Sequence, residues 1–225
     1  MKVPRPPHSW SVTPKRAVVL QRTLASKVIT KGRIPTLAYA AGADVAFSRD
    51  DNECIAGVVL WDVSAGSVVE QHVLRRPLRF PYVPGLLSFR EAPAILAALR
   101  KLRTEPDVFL FDGQGLAHPR RFGLACHLGV VLDRPSVGCA KSLLVGQTAP
   151  VGVQRGSAEP IYHNGERVGT ALRTRERVRP VYVSVGHRIS LETAVQVTLA
   201  CGGGFRLPEP TRRADHLVAL ERARL

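Results

Sequence analysis

The sequence predicts an α/β fold in which a mixed sheet has flanking helices, and two observations support this prediction. Three extended apolar segments follow one another between residues 37 and 78, separated only by short polar turns. Consecutive strands joined by tight turns favour an antiparallel meander. After residue 88, helical spacing alternates with short apolar runs. We therefore expect a three-strand antiparallel meander followed by strand-helix alternation.

The first half of the chain is expected to hold one helix and the meander. Apolar residues recur at helical spacing over 11–31, where Ser11 or Thr13 would cap the amino-terminal end. The polar turns "SRDDNE" and "DVSAGS" then divide three apolar segments. These segments predict strands at 37–48, 54–63 and 67–78.

The second half is expected to alternate between helices and buried strands. Residues 88–103 have helical spacing, and Ser88 with Glu91 matches the S-x-x-E capping box. "DVFLFDG" and "PSVGCA" are apolar runs framed by proline or glycine, which indicates buried strands. The remaining pattern predicts helices over 120–132 and 190–201, strands near 166–173 and 180–185, and a last helix after Pro210.

Composition limits the domain organisation and the kind of partner. The chain has 225 residues, 45% of them hydrophobic, which suits a single domain over 1–225 with a helical extension at about 1–34. The formal net charge of +14 favours a polyanionic partner such as nucleic acid. The alternative is an arginine-rich composition without a binding face.

The cysteines and the amino terminus indicate a cytoplasmic protein. None of the four cysteines forms a C-x-x-C pair, and their apolar neighbours predict buried free thiols. The start "MKVPRPPHSW" lacks the apolar region of a secretory signal. No apolar stretch reaches the roughly 18 residues of a membrane span. The cysteines are Cys54, Cys126, Cys139 and Cys201.

Three carboxylates occupy positions where burying a charge without a partner would cost free energy. Asp44 interrupts an apolar strand, Asp112 ends another, and Glu91 lies in the first turn of a helix. Each has a structural alternative: an interior ion pair for Asp44, a turn for Asp112 and a capping box for Glu91. Together in a basic α/β chain, they favour a site for Mg²⁺ or Mn²⁺ and metal-assisted phosphodiester hydrolysis.

Several long motifs resemble those of the endonuclease V family. They are "PYVPGLLSFRE", "DGQGLAHPRRFGLACHLGV" and "VGCAKSLL", with "GADVAF", "VYVSVGHRISL" and "LPEPTRRAD" in the same order along the chain. The resemblance implies a ribonuclease H-like fold. It also implies a DNA repair endonuclease that recognises deaminated bases, chiefly deoxyinosine. Such an enzyme hydrolyses the second phosphodiester bond 3′ to the lesion, leaving 3′-hydroxyl and 5′-phosphate ends.

The resemblance also implies roles for individual residues. Asp44, Glu91, Asp112 and Asp215 match metal-binding positions for Mg²⁺, with Mn²⁺ as a substitute, and His118 and Lys141 match catalytic positions. Tyr82 matches a wedge residue that enters the base stack. The other positions matched to DNA or lesion binding are Pro81, Val83, Pro84, Gly85, Leu87, Gly113, Gly115, Arg120 and Gly138.

Some features leave alternatives open. Inosine-containing RNA is a rival substrate to DNA containing deoxyinosine or other deaminated or distorted bases, and a lesion-binding module without turnover is a rival function. A monomer is expected, with no membrane partner. His127 and His187 are interpreted as structural, His187 as a turn residue. If Arg173, Arg175, Arg177 and Arg179 lie on a strand, they would share one face and form either a charged edge or a phosphate track.

Overall fold

The structure is a computed structural model that describes residues 1–224 as a sheet with helices on both faces. The strands are β1 Tyr39–Phe47, β2 Glu53–Asp62, β3 Ser67–Pro77, β4 Val108–Phe111, β5 Ser136–Ala140, β6 Ala158–His163, β7 Glu166–Leu172 and β8 Val181–His187. The helices are α1 Pro14–Ala25, α2 Leu87–Leu99, α3 Leu124–Leu132, α4 Leu191–Ala200 and α5 Glu209–Ala223.

The sheet order is β3-β2-β1-β4-β5-β8-β7-β6. β1, β2 and β3 pair antiparallel, which confirms the predicted meander. β4 runs parallel to both β1 and β5, and the later strands return antiparallel. The carboxyl ends of β1, β4 and β5 therefore meet at one edge of the sheet, where ligands usually bind in α/β folds.

Side-chain alternation along the strands divides the core into two layers. Ala41 and Ala43 of β1 face a core that includes α2 and α3. Ala40 of β1, with Leu110 of β4, faces the opposite core, which includes α4. Helix α5 packs on the same face as α4, against β1 and β2.

Two glycines allow α5 to lie directly on the sheet. A Cβ atom on Gly42 of β1 would lie 2.1 Å from the carbonyl carbon of Pro210, and one on Gly57 of β2 would lie 2.6 Å from a Val218 methyl group. The absence of a side chain at both positions brings the helix axis close to β1. The middle of α5 is thereby placed beside the carboxyl end of that strand.

The residues before α1 form an arm that packs on α2 and α3. His8 Nε2 lies 2.7 Å from His127 Nε2 of α3. The centroid of the Trp10 ring lies 4.8 Å from that of His127, with the two rings tilted, and 5.8 Å from that of Phe89, which it meets edge to face. His127 is fully buried, and its Nδ1 lies 2.8 Å from Ser88 Oγ. This packing agrees with a structural role for His127.

Three predicted helices differ from the structure at their amino-terminal ends. α1 covers only Pro14–Ala25, because Thr13 caps it and Pro14 begins it. α3 begins at Leu124 and not at 120, because the preceding turn holds Arg121 in the left-handed region. The prediction of a capping box at the start of α2 is wrong. Ser88 Oγ bonds His127 instead of a backbone N–H, and Leu86 is the N-cap.

Three further expectations need correction. Strand β6 was not expected, and it forms one outer strand of the sheet. The strand interpretation of the arginine run is wrong, because β7 ends at Leu172 and the run lies in a loop where Arg177 has a positive φ. Arg173 braces that loop by donating to the carbonyls of Gly152 and Val151 at 2.8 and 2.7 Å. His187 is the last residue of β8 and not a turn residue.

Two other expectations concern the cysteines and the membrane. All four cysteines are free and buried, as predicted. Among residues 1–224, none of the helices combines the length and the apolar character needed to cross a membrane.

Candidate active site

Three carboxylates meet at the carboxyl ends of the central strands. Asp44 follows Ala43 on β1, Asp112 follows Phe111 at the end of β4, and Ala43 and Phe111 are paired in register. Alternation turns both aspartates toward the face on which α5 lies. α5 contributes Asp215, and one oxygen from each of the three carboxylates lies within 4.8 Å of the others. We call these three residues the carboxylate cluster.

Glu91 reaches the cluster from the opposite layer. It lies in α2 and is 9% exposed. Burial, as the largest cause, and the charges of Asp44 and Asp112 together raise the pKa of Glu91 to about 8, against the lowering effect of Arg90. Glu91 is therefore near both aspartates, although it lies outside the close group of three.

The carboxylate cluster carries more negative charge than its surroundings balance. Burial raises the pKa of Asp44 to about 7, with Asp112 as the second cause. Burial also raises the pKa of Asp112, against the lowering effect of Lys141. Like charges in a half-buried site favour a bound cation or a retained proton.

Lys141 partly neutralises this charge. Its Nζ lies 2.6 Å from Asp112 Oδ2 and 3.1 Å from Asp215 Oδ1. The two carboxylates raise the pKa of Lys141 against the effect of burial, so the ammonium is charged. Arg206 holds the backbone here by donating to the carbonyls of Lys141 and Pro180 at 2.5 and 2.8 Å.

The donor set fits a hard divalent cation. All four acidic groups offer carboxylate oxygens, which Mg²⁺ and Mn²⁺ prefer. Three of them lie close enough to share one ion, and the fourth has a pKa that depends on the same charges. The four residues predicted to bind metal are therefore brought together. Lys141, predicted to be catalytic, lies beside two of them.

A second feature is the proline loop that precedes α2. Tyr82 at its tip is 70% exposed, whereas Phe80 and Leu86 on either side are buried. Gly85 has a φ of +76°, which glycine adopts without strain. The loop is thus anchored at both ends and presents an aromatic ring to solvent.

Three donors converge on the carbonyl of Gly85. Gln21 Nε2, His118 Nε2 and Arg120 Nη2 lie 3.0, 3.0 and 2.6 Å from this oxygen. Gln21 also accepts from Arg120 Nε at 2.6 Å. His118 Nδ1 accepts from the backbone N–H of Arg120, which leaves Nε2 as the donor to Gly85. Burial lowers the pKa of His118 to about 4, so the ring is neutral at pH 7.

A cavity of about 150 Å³ lies beneath this loop, and we call it the loop pocket. Its lining is mainly apolar, with one buried polar atom, Gln114 Oε1, that has no hydrogen-bond partner within residues 1–224. Gln114 Nε2 is fixed by donating to the carbonyl of Ser142 at 2.8 Å. The lining residues are Gln21, Tyr82, Val83, Pro84, Gly85, Leu87, Ser88, Gln114, His118, Gly123, Leu124 and Leu144.

The predicted site residues therefore fall into three groups. Asp44, Glu91, Asp112, Asp215 and Lys141 form the charged site. His118, predicted to be catalytic, lies with Arg120 against the loop and not in the charged site. The loop pocket is lined by the predicted residues Tyr82, Val83, Pro84, Gly85 and Leu87, but not by Pro81. Gly113 joins Asp112 to Gln114. Gly115 and Gly138 pack on each other beneath the site, with a Cβ on Gly138 only 2.5 Å from the Gly115 nitrogen.

Sequence reasoning missed Gln21, Gln114, Leu124, Leu144 and Arg206. Gln114 and Leu124 lie within the motif "DGQGLAHPRRFGLACHLGV" and Leu144 ends the motif "VGCAKSLL", and this position in a motif was the available signal. The other two, Gln21 and Arg206, contribute through contacts with residues distant in sequence.

Comparison with known proteins identifies the family. The profile of the family described as Endonuclease V matches residues 22–216. The endonuclease V of Roseiflexus castenholzii is 51% identical over 216 residues, covering 96% of each chain. The chain belongs to the endonuclease V family.

Solved endonuclease V structures confirm the fold. The endonuclease V of Streptomyces avermitilis has a TM-score of 0.90 and 42% identity and covers 100% of both chains. That of Ciona intestinalis, in complex with a 23mer DNA containing an inosine followed by a ribo-adenosine, has a TM-score of 0.84 and 26% identity, covering 95% of this chain and 99% of that one. The predicted family and the ribonuclease H-like fold are both confirmed.

Proposed function

We propose that this endonuclease V is a metal-dependent deoxyribonuclease for deaminated bases, chiefly deoxyinosine. It hydrolyses the second phosphodiester bond 3′ to the lesion and leaves 3′-hydroxyl and 5′-phosphate ends. The observation that carries the proposal is that one helix connects the loop pocket with the carboxylate cluster. Helix α2 begins at Leu87 in the lining of the loop pocket and carries Glu91 to the carboxylate cluster.

The charged site supports hydrolysis of a phosphodiester. Asp44, Asp112 and Asp215 would hold Mg²⁺, with Glu91 as the fourth acidic group. When bound, the cation supplies charge stabilisation at the phosphate and a more acidic water. Lys141 Nζ lies beside two of these carboxylates, where its third N–H can donate to a phosphate oxygen.

The loop supports recognition of a displaced base. The exposed ring of Tyr82 can fill the gap that a flipped base leaves in the stack. The mainly apolar loop pocket offers a flat base a place to stack. Gln114 of the lining has a buried Oε1 without a partner among residues 1–224, and a turn of its side chain would offer this acceptor to an N–H group of the base.

Inosine-containing RNA remains a second candidate substrate. It is favoured by one observation, the Ciona intestinalis complex in which a ribo-adenosine follows the inosine. Selection between DNA and RNA depends on how the 2′-hydroxyl is accommodated. A monomer in the cytoplasm stays a prediction from the sequence.

The deciding experiment compares strand cleavage on matched oligonucleotides. Inosine-DNA, inosine-RNA and unmodified DNA of one sequence are incubated with Mg²⁺, with Mn²⁺ and with EDTA. We expect cleavage of inosine-DNA only with a divalent cation. The cut is mapped by sizing, and direct religation with DNA ligase identifies 5′-phosphate and 3′-hydroxyl ends. Binding of inosine-DNA without cleavage under every condition would instead identify a lesion-binding module.

A further inference from the structure

A second open feature adjoins the charged site on the side away from the loop pocket. It is a groove of about 730 Å³ between the β1–β2 turn and α5, and Asp44 and Asp215 line it. The other lining residues are Val45, Ala46, Phe47, Ser48, Arg49, Asp51, Val218, Ala219, Arg222 and Ala223. We call it the α5 groove.

The loop pocket, the carboxylate cluster and the α5 groove lie one after another along this edge of the sheet. The loop pocket includes Gln114, two residues beyond Asp112 at the end of β4. Asp44 lies on the adjacent strand β1 and belongs both to the cluster and to the groove. A strand whose base enters the pocket and whose backbone crosses the cluster is therefore led into the groove.

Two arginines line the groove without a protein partner. Arg49 and Arg222 are exposed, and no side-chain hydrogen bond or ion pair engages either guanidinium among residues 1–224. By contrast, the neighbouring Arg224 is paired with Glu221 at 3.3 Å. Unpaired guanidinium groups in a groove are suited to phosphate oxygens.

The turn that carries Arg49 is held in place. Ser48 Oγ donates to Asp50 Oδ1 at 2.6 Å, and Asp51 pairs with the buried Arg90 at 2.5 Å. Asp51 is thereby neutralised, and Asp215 is paired with Lys141. The two arginines are thus the unpaired charges of the groove apart from Asp44, which a bound cation would neutralise.

We propose that the α5 groove binds the nucleic-acid strand on the 3′ side of the scissile bond, with Arg49 and Arg222 contacting its backbone phosphates. The ligand class is a phosphodiester backbone, and Ala46 and Ala219 offer apolar surface to a sugar or base. This inference rests on the proposed function, because cleavage 3′ to the lesion sets which part of the strand lies beyond the cluster.

The test uses two single-stranded inosine oligonucleotides with the same 5′ sequence and label. The long one extends several nucleotides beyond the scissile bond, and the short one extends by a single nucleotide. Binding is measured by fluorescence anisotropy in EDTA, so that no cleavage intervenes, over a range of salt concentrations. The wild-type protein is expected to bind the long oligonucleotide more tightly.

The variants are Arg49→Ala, Arg222→Ala, their combination, and Arg224→Ala as a control of equal charge change at the same helix end. Each groove substitution is expected to weaken binding of the long oligonucleotide by roughly fivefold, and of the short one little. The salt slope for the long oligonucleotide should fall by about 0.7 for each phosphate that the variant no longer neutralises. Arg224→Ala should match the wild type.

Two results would overturn the inference: a wild-type protein that binds both oligonucleotides equally, or a double variant that loses equal affinity for both. Cleavage with Mg²⁺ is measured in parallel on the long oligonucleotide. Absence of wild-type cleavage there would count against the proposed function, while the length dependence in EDTA would still be readable.

Discussion

Helix α2 contributes to both the carboxylate cluster and the loop pocket, yet the two regions differ in how fully their polar groups are paired. In the cluster, Asp44 and Asp112 have raised pKa values because burial and like charge are only partly offset by Lys141. Around the pocket, the Gly85 carbonyl has three donors and His118 is neutral. The cluster lacks a balancing charge that a cation would supply, whereas the groups that hold the loop are already paired and Gln114 Oε1 is the unpartnered atom of the pocket lining among residues 1–224. Changes at the two regions should therefore separate chemistry from recognition.

The largest effect is expected from Asp112→Asn. The amide keeps the shape but removes a negative metal ligand, so cleavage of inosine-DNA should fall by roughly a thousandfold or more. Binding should hold or tighten, because one negative charge facing the phosphates is lost. Single-turnover nicking and anisotropy on the same preparation measure both. Asp62→Asn, at the end of β2 that pairs with the start of β1, is the control, and near-wild-type nicking by Asp112→Asn would show that Asp112 serves only the turn.

A pH series without metal should expose the charge imbalance of the cluster. The pKa is raised to about 7 for Asp44 and about 8 for Glu91, above unfolded values near 4. Below about pH 6.5 the lowered pKa values of His8, His118, His127 and His187 oppose this effect, because the unfolded chain then holds more histidine protons. Between about pH 7 and 8 the two carboxyl groups dominate, and the folded chain holds more protons than the unfolded chain. Its stability in EDTA should fall as pH rises through this window, by at most about 1.4 kcal/mol per pH unit for each carboxyl group.

Urea unfolding at several pH values, with EDTA and with Mg²⁺, measures this slope. Mg²⁺ should add stability increasingly toward high pH, because the ionised carboxylates bind it. Glu91→Gln should flatten the EDTA curve, since it removes one titrating group. An EDTA curve that does not fall between about pH 7 and 8 would contradict the raised pKa values.

On the recognition side, Tyr82→Ala should weaken binding of inosine duplex without changing stability. Stacking of a base on an aromatic ring is worth about 1–3 kcal/mol, which corresponds to roughly tenfold to a hundredfold in Kd. The ring is 70% exposed, so the melting temperature should not change. Tyr82→Phe should bind nearly as the wild type does, and single-stranded inosine substrate should be less affected. Equal losses on both substrates with a lowered melting temperature would show that Tyr82 serves loop packing.

The smallest effect is expected from Gly85→Ala, and Gly66→Ala is its matched control. Both glycines have positive φ, +76° and +61°, so each substitution should cost about 1 kcal/mol of stability. A Cβ on Gly85 would lie 2.7 Å from Arg120 Nη2, whereas nothing lies within 4 Å at Gly66. Only Gly85→Ala should therefore also weaken inosine binding. Equal binding by the two variants would argue against a role of the donor cluster in recognition.

The sequence predicted most of the fold because local patterns carried it. The polar turns predicted the meander, and the apolar runs predicted the buried strands. β6 was missed because Pro160 interrupts "AEPIYH", although an outer strand tolerates proline. The arginine run had the period of a strand, but Arg177 adopts a left-handed turn.

The candidate site was predictable only in part. The acidic residues stood out because burying a carboxylate is costly, and the resemblance supplied Lys141 and Asp215. Gln21 could not be found in this way, because its contact with the Gly85 carbonyl spans 64 positions of the chain. The capping-box interpretation failed for the same reason, since Ser88 bonds His127 across 39 positions.

The amino-terminal arm has a consequence for how the chain folds during synthesis. His8 meets His127 across 119 positions, so its partner does not exist when the arm leaves the ribosome. At about 5–20 residues per second, the arm waits roughly 6 to 24 s before α3 has been made. Trp10 lacks His127 throughout that interval and Phe89 for the earlier part of it. The arm is thus made with an aromatic side chain that has no partner yet, and docking of the arm must follow formation of the α2–α3 layer.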